Sequence, residues 1–222
     1  MRTGWLFAGG ALLLGAAVMN RGKIIDAVTG AAKNRAELVA AMVRAGITGT
    51  NERAMFLAQM HHESNGFARL EESFRYSSAD RVMANSASAR KAGAAAVAAA
   101  LQAGPEALAE IMYGGRMGNT AKGDAYRYRG RGFVQLTGRE NYDTAGRWIG
   151  VDLLKNPELA AQPAIAARIA VWYWNSRRLS AAAKAGDVPA VTRGINGGSN
   201  GLADRQQLFA SYLKETGAGR TA

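Results

Sequence analysis

A chain of 222 residues, 48% hydrophobic and with only four prolines, is long enough to bury one sizeable core, and one main domain is expected. Its 28 lysines and arginines against 17 aspartates and glutamates give a formal charge of +11, which favours polyanionic surfaces such as nucleic acid, lipid headgroups or the acidic polymers of a bacterial envelope. Zero cysteines exclude disulfides, thiol catalysis and cysteine-based zinc sites, and the two histidines, His61 and His62, have no zinc-binding spacing, so no metal and no cofactor is expected.

Met1 to Thr3 leads into Gly4 to Met19, GWLFAGGALLLGAAVM, sixteen residues without a charge. As a helix this stretch is about 24 Å long against a hydrocarbon core of about 30 Å, and half of it is Gly or Ala. Three readings compete. It is a cleaved signal peptide, with Arg2 as the positive n-region and Gly15-Ala16-Ala17 as the cleavage site. It is a permanent anchor, which its small residues disfavour. Or it is a weakly hydrophobic helix that enters the inner membrane and later leaves it, the reading adopted for residues 1–22.

Residues 23–33 read as a basic linker. Leu38, Val39, Met42 and Val43 recur at helical spacing before Gly46, so residues 34–45 form a core helix. Met55 to Tyr76, MFLAQMHHESNGFARLEESFRY, opens as a buried helix capped near Thr50 or Asn51 and stopped at Ser64-Asn65-Gly66. Glu63 therefore emerges at the end of an apolar helix, where the partial negative charge of the helix terminus and poor hydration both disfavour ionisation. Nine residues on, Glu72 (or its neighbour Glu71) lies among Arg69 and Arg75, which favour the carboxylate form. Two carboxyl groups in unlike surroundings are what glycoside hydrolysis requires, one to donate a proton and one to accept it.

Ser77 to Met83 reads as a short helix with Ser78 as its cap, and Ala87 to Ala103 as an alanine-rich helical stretch without polar chemistry. A helix from Pro105 follows, then a glycine-rich loop from Tyr113 to Asp124. Tyr126 to Tyr142, YRYRGRGFVQLTGRENY, alternates as a short strand would, placing Gln135 and Thr137 on one face, and a helix is expected over 141–149. Residues 164–178 carry Ile165, Ile169, Trp172 and Tyr173 on one core face. Gly194 to Gly201, GINGGSNG, reads as a loop presenting Asn196, and a last helix over 202–214 carries Arg205, expected to pair with a carboxylate.

The motifs His62-Glu63-Ser64, Glu72, Tyr113 to Asn119, Tyr128 to Thr137, Asn141-Tyr142, Asn156-Pro157, Trp172 and Ile195 to Gly198, in that order over about residues 35–215, resemble the chitinase-like enzymes of glycoside hydrolase family 19, and within it phage endolysins. The N-terminal stretch likewise resembles the signal-arrest-release segments of some such endolysins. The resemblance implies inverting, metal-free cleavage of β-1,4-linked N-acetylated aminosugars. It matches Glu63 to the general acid, Glu72 to the general base and Thr137 to the residue that helps to hold the attacking water. It matches His62, Tyr113, Asn119, Tyr128, Gln135, Asn141, Asn196 and Arg205 to positions that bind or border the substrate. Because the segment after Glu72 is short and lacks the cysteines of plant chitinases, Glu71 stays a competing base.

The fold expected is mainly α, a lysozyme-like or chitinase-like helical domain over 34–216 with a small β-hairpin beside the cleft, preceded by the N-terminal hydrophobic helix and followed by a tail over 217–222. The expected activity is endolysin-type cleavage of peptidoglycan glycan strands by a monomer, without specific nucleic-acid binding. The enzyme is held at the host inner membrane through residues 4–19, facing the periplasm, and then released to the periplasm. The alternatives are a secreted chitinase of the same family, a lytic transglycosylase needing one acid only, and a non-catalytic membrane-tethered cell-wall binding protein.

Overall fold

The computed structural model describes residues 21–218, so the hydrophobic stretch 4–19 lies outside the described residues. Helix follows helix: α1 (Arg21–Arg44), α2 (Thr50–Glu63), α3 (Ala79–Asn85), α4 (Ala87–Ala92), α5 (Ala94–Ala103), α6 (Pro105–Tyr113), α7 (Asp124–Arg127), α8 (Arg139–Ile149), α9 (Pro163–Ser176), α10 (Ser180–Lys184), α11 (Val188–Asn196) and α12 (Leu202–Ala218). Among the described residues no helix is long and apolar enough to cross a membrane. The chain divides into two compact units, one of residues 71–131 and 135–159, the other of residues up to 70, 132–134 and from 160 on.

The second of these units is built on α2. Met55, Phe56, Leu57, Ala58 and Met60 are buried all round the helix, so it is a central element rather than an amphipathic one. It packs on α12 and α10, while α1 packs on α9. Within this core Phe56 meets the edge of Trp174, whose indole N–H donates to the buried Glu52 carboxylate at 3.2 Å. α1 begins earlier than the spacing of its apolar residues announces, since the helix runs through 23–33, the segment read as a linker.

In the other unit α3 to α7 enclose a cluster of Phe74, Val82, Val97, Leu108, Met112 and Tyr113. Ser78 accepts from the amide of Arg81 and caps α3 as its position in the sequence predicts. The alanine-rich stretch is two helices, because Gly93 adopts φ +87° and ends α4 before α5 begins.

The β-hairpin predicted near 126–137 does not form. The described residues there hold two isolated bridges, Glu71 with Arg131 and Arg131 with Leu136, joined by a tight turn. Alternation suggested a strand, but Gln135 takes φ +48° and breaks it. The predicted loop at 194–201 is also shorter: α11 continues to Asn196, and Gly197 at φ +75° ends it.

Burial raises the phenol pKa of Tyr113, Tyr142 and Tyr173 above the usual value of 10.0, and it does the same more mildly for Tyr212. The folded state therefore retains protons that the unfolded state loses above pH 10, so stability falls as the pH rises through that value. Denaturant unfolding at pH 8 and pH 11 is expected to give a clearly lower midpoint at pH 11, and Tyr142→Phe is expected to lessen that difference. His61 shows the opposite sense. Its pKa is lowered from 6.5, chiefly by burial, so stability contributed by the neutral ring is lost as the pH falls below that value.

Candidate active site

Each unit carries one carboxylate set apart from the rest. In the unit built on α2, Gln59 and Glu63 lie one helical turn apart and face α12. Arg205, only 2% exposed, donates through one terminal nitrogen to Gln59 and through the other to Glu63 Oε1 at 2.5 Å, while its Nε donates to the Asn200 carbonyl at 3.3 Å. A buried guanidinium is tolerated only when its donors are met and its charge balanced, and Glu63 is the carboxylate that balances it. Glu63 Oε2 accepts no hydrogen bond from a described residue and remains available to a reacting group.

Flanking this clasp, His62 Nδ1 meets Asp204 Oδ2 at 2.5 Å. The His62 ring lies where a Cβ on Gly201 would sit, so its place depends on that glycine. Tyr173 donates to the Ile195 carbonyl at 2.8 Å, and the charge of Glu63 helps to push its phenol pKa up, after burial. Asn196 does not project from a free loop. Its side chain donates to the Asn200 carbonyl and accepts from the Gly198 amide, each at 2.9 Å, and it shapes the turn that bears on Arg205.

In the other unit Glu71 and Glu72 face opposite ways, as neighbours on extended backbone do. Glu71 Oε1 accepts from Arg129 at 2.6 Å and from Arg131 at 2.8 Å, and Arg131 is almost wholly buried. Glu71 is thus consumed in a structural ion-pair fork. Glu72 receives uncharged donors instead: the Tyr113 hydroxyl at 2.9 and 3.2 Å from its two oxygens, and the Gly130 amide at 3.3 Å from Oε2. The Glu72 amide bonds the Gly130 carbonyl at 2.9 Å, which fixes the backbone register of the pair. Arg69 and Arg75, expected to act on Glu72, take no part in these contacts.

Gly130 is the pivot of this half-site. A Cβ placed on it would lie 2.9 Å from Gln135 Oε1, 3.2 Å from Glu72 Oε2 and 3.4 Å from Thr137 Oγ1. Three oxygens from three separate positions thus converge on a space that only glycine leaves open. The turn that breaks the predicted strand is what supplies two of them. Thr137 Oγ1 donates to the Gln135 carbonyl at 2.8 Å, and Asn141 donates to the Thr137 carbonyl at 2.6 Å, so Asn141 holds the turn rather than entering the space.

Other predicted substrate contacts are placed inside the protein. Asn119 is 2% exposed, donating to the Tyr113 carbonyl at 3.1 Å and accepting from the Arg139 amide at 2.9 Å. Tyr128 is buried against Tyr142 and donates to the Leu154 carbonyl at 3.2 Å. Tyr113 ends α6 instead of opening a groove-lining loop, and its phenol, held well above its ordinary pKa by burial and by Glu72, stays a donor across the neutral range. Gln59 was not singled out from the sequence; its i, i+4 spacing to Glu63 was the available signal.

A family profile described as chitinase class I matches residues 106–193, a range that includes Tyr113, Gln135 and Thr137 and lies between the two candidate carboxylates and Arg205. A glycosyl hydrolase family 19 domain-containing protein of Haemophilus influenzae is 35% identical over 178 residues, covering 77% of this chain and 82% of that protein. An endochitinase of Arabidopsis thaliana is 40% identical over 97 residues, but this covers 40% of this chain and 34% of that protein. Among solved structures, chitinase C from Streptomyces griseus superposes with a TM-score of 0.51 at 22% identity, over 92% of this chain and 78% of that one. A second bacterial family 19 chitinase does so with a TM-score of 0.51 at 25% identity, over 82% and 85%.

Gly130→Ala fills the space between Glu72, Gln135 and Thr137 while meeting only side-chain atoms. It is expected to lower kcat on glycan substrate about a hundredfold with little change in melting temperature. Tyr113→Phe removes one donor from Glu72 and is expected to cost about tenfold or more in kcat, with KM nearly unchanged. Glu71→Gln is expected to do the reverse, lowering the melting temperature and sparing turnover; equal losses of kcat in Glu71→Gln and Glu72→Gln would contradict the separation of roles.

Proposed function

We propose, from the premise that the chain belongs to glycoside hydrolase family 19 and is a glycoside hydrolase, that it cleaves the β-1,4-linked glycan strands of peptidoglycan by inversion and serves as a lysis enzyme. The observation that carries the reading is the convergence of Glu72 Oε2, Gln135 Oε1 and Thr137 Oγ1 on the open space at Gly130. These oxygens lie within hydrogen-bonding reach of a single water. Glu72 takes a proton from that water as it attacks the anomeric carbon. Glu63, held through Oε1 by Arg205, gives a proton from its free oxygen to the departing glycosidic oxygen. The C–O bond to the leaving sugar breaks as the bond to water forms on the opposite face, so the configuration at that carbon inverts.

For the choice of polymer, support comes from the net charge of +11, which suits an envelope carrying peptide carboxylates and acidic polymers. The apolar stretch 4–19, read together with Arg2, supports export to the inner membrane, with the catalytic residues facing the periplasm and later release. Chitin is the second reading, favoured by the endochitinase relatives, and there the net charge would have no part to play.

The deciding experiment is mass spectrometry of fragments released from purified peptidoglycan by the protein and by Glu63→Gln. New reducing ends in the α configuration at early times, read by proton NMR and missing with the variant, are the expected result. Anhydro ends would indicate a transglycosylase. β ends would exclude inversion, and release from chitin alone would move the substrate to the neutral polymer.

A further inference from the structure

Two large hydrophobic side chains are exposed among the described residues, Val43 and Trp148, and Trp148 is 55% exposed. An indole left in water sacrifices a large apolar contribution to folding, and nothing in the proposed mechanism uses it. Trp148 stands on the last turn of α8, between residues that line a hollow of about 260 Å³. The hollow is formed where α8 ends and the chain folds back under it through 150–154. Gly146 permits this return, since a Cβ there would lie 2.6 Å from the Val151 carbonyl oxygen. Its walls include Val151 and the buried Leu153, and its rim carries Asp143, Arg147 and Asp152. Asp143 and Arg147 are paired at 2.8 Å across one turn of α8, and Asp152 Oδ1 accepts from the Lys155 amide, which holds that carboxylate in place.

This combination matches one class of ligand. A pyranose ring presents an apolar C–H face edged by hydroxyl and amide groups. It calls for an aromatic plane, an apolar wall and a few fixed polar groups of both donor and acceptor type. An anionic ligand would be opposed by the two aspartates, and a purely apolar one by the charged rim. We propose that Trp148 and the adjoining hollow form a surface site for a saccharide unit of the polymeric substrate, separate from the residues of the half-site around Gly130. The proposal rests on the polysaccharide reading above, whichever polymer it is. A second contact on the same chain molecule raises the local concentration of enzyme on an insoluble polymer, while a short soluble substrate gains nothing from it.

The test uses the full chain carrying Glu63→Gln, so that binding is read without turnover, with and without Trp148→Ala, in sedimentation with insoluble peptidoglycan and with insoluble chitin. Trp148→Ala is expected to weaken binding to one of these polymers by about fivefold or more. In the otherwise unaltered enzyme it is expected to slow release from that polymer at low polymer concentration and to leave turnover of a short soluble N-acetylglucosamine oligomer unchanged. Equal binding with and without Trp148, an equal loss on the soluble oligomer, or a change in molecular mass showing that Trp148 joins two copies would each overturn the proposal. The binding readout does not depend on which bond is cleaved, so failure of the peptidoglycan reading leaves this outcome legible.

Discussion

A buried guanidinium organises the half of the molecule that carries Glu63. Arg205 cannot be placed among the side chains of α2 and α12 without an anion, because an unpaired charge there costs several kcal/mol. Glu63 supplies the anion, Gln59 meets a second nitrogen, and the Asn200 carbonyl takes the third donor. The turn that ends α11 is shaped to bring that carbonyl into position, with Asn196 bonding both sides of it. The group proposed to donate the proton in catalysis is therefore also the one that stabilises the packing of α12 on α2. Its orientation is set by the same bonds that hold the fold, and only one oxygen is left for chemistry.

The half-site around Glu72 works by the opposite means. Adjacent carboxylates, Glu71 and Glu72, are sorted by the two faces of one extended segment. One is neutralised by Arg129 and Arg131, and the other is held by a phenol and an amide that carry no charge. A base held by neutral donors keeps its capacity to accept a proton in a way that a base in an arginine fork does not. The cations of YRYRGRG thus serve the site indirectly, by drawing off the competing carboxylate and fixing the turn on which Gly130 sits.

Helix positions were legible in the sequence because apolar spacing and caps report directly on them, as the Ser78 cap and the buried run Met55 to Met60 illustrate. The segment 132–137 was not, because alternation of apolar and polar residues is shared by a strand and by a turn whose side chains point alternately inward and outward. The difference lies in one residue, Gln135, at φ +48°, and no propensity marks a glutamine for that conformation. Burial was similarly invisible for Asn119 and Tyr128. Polar groups in a motif read naturally as ligands of a sugar, whereas here they satisfy carbonyls and amides of the protein itself. The motif that resembles the family is thus partly a folding motif, and its matches do not separate residues that touch substrate from residues that hold those that do.

That distinction explains why the loop matters more than a hairpin would. In a regular strand Gln135 and Thr137 would project in parallel, about two residues apart, and could not both approach the α-carbon of Gly130. The left-handed turn at Gln135 brings the two side chains together, Thr137 locks the turn through the Gln135 carbonyl, and Asn141 locks Thr137 in turn. Backbone strain at a single non-glycine residue is a cost of order 1 kcal/mol, offset here by the hydrogen bonds that close around it. Its return is a set of three oxygens aimed at one point before any substrate arrives. Such preorganisation is what lets a weak base act on water, since the orientation that the reaction needs is settled by folding rather than at the moment of attack.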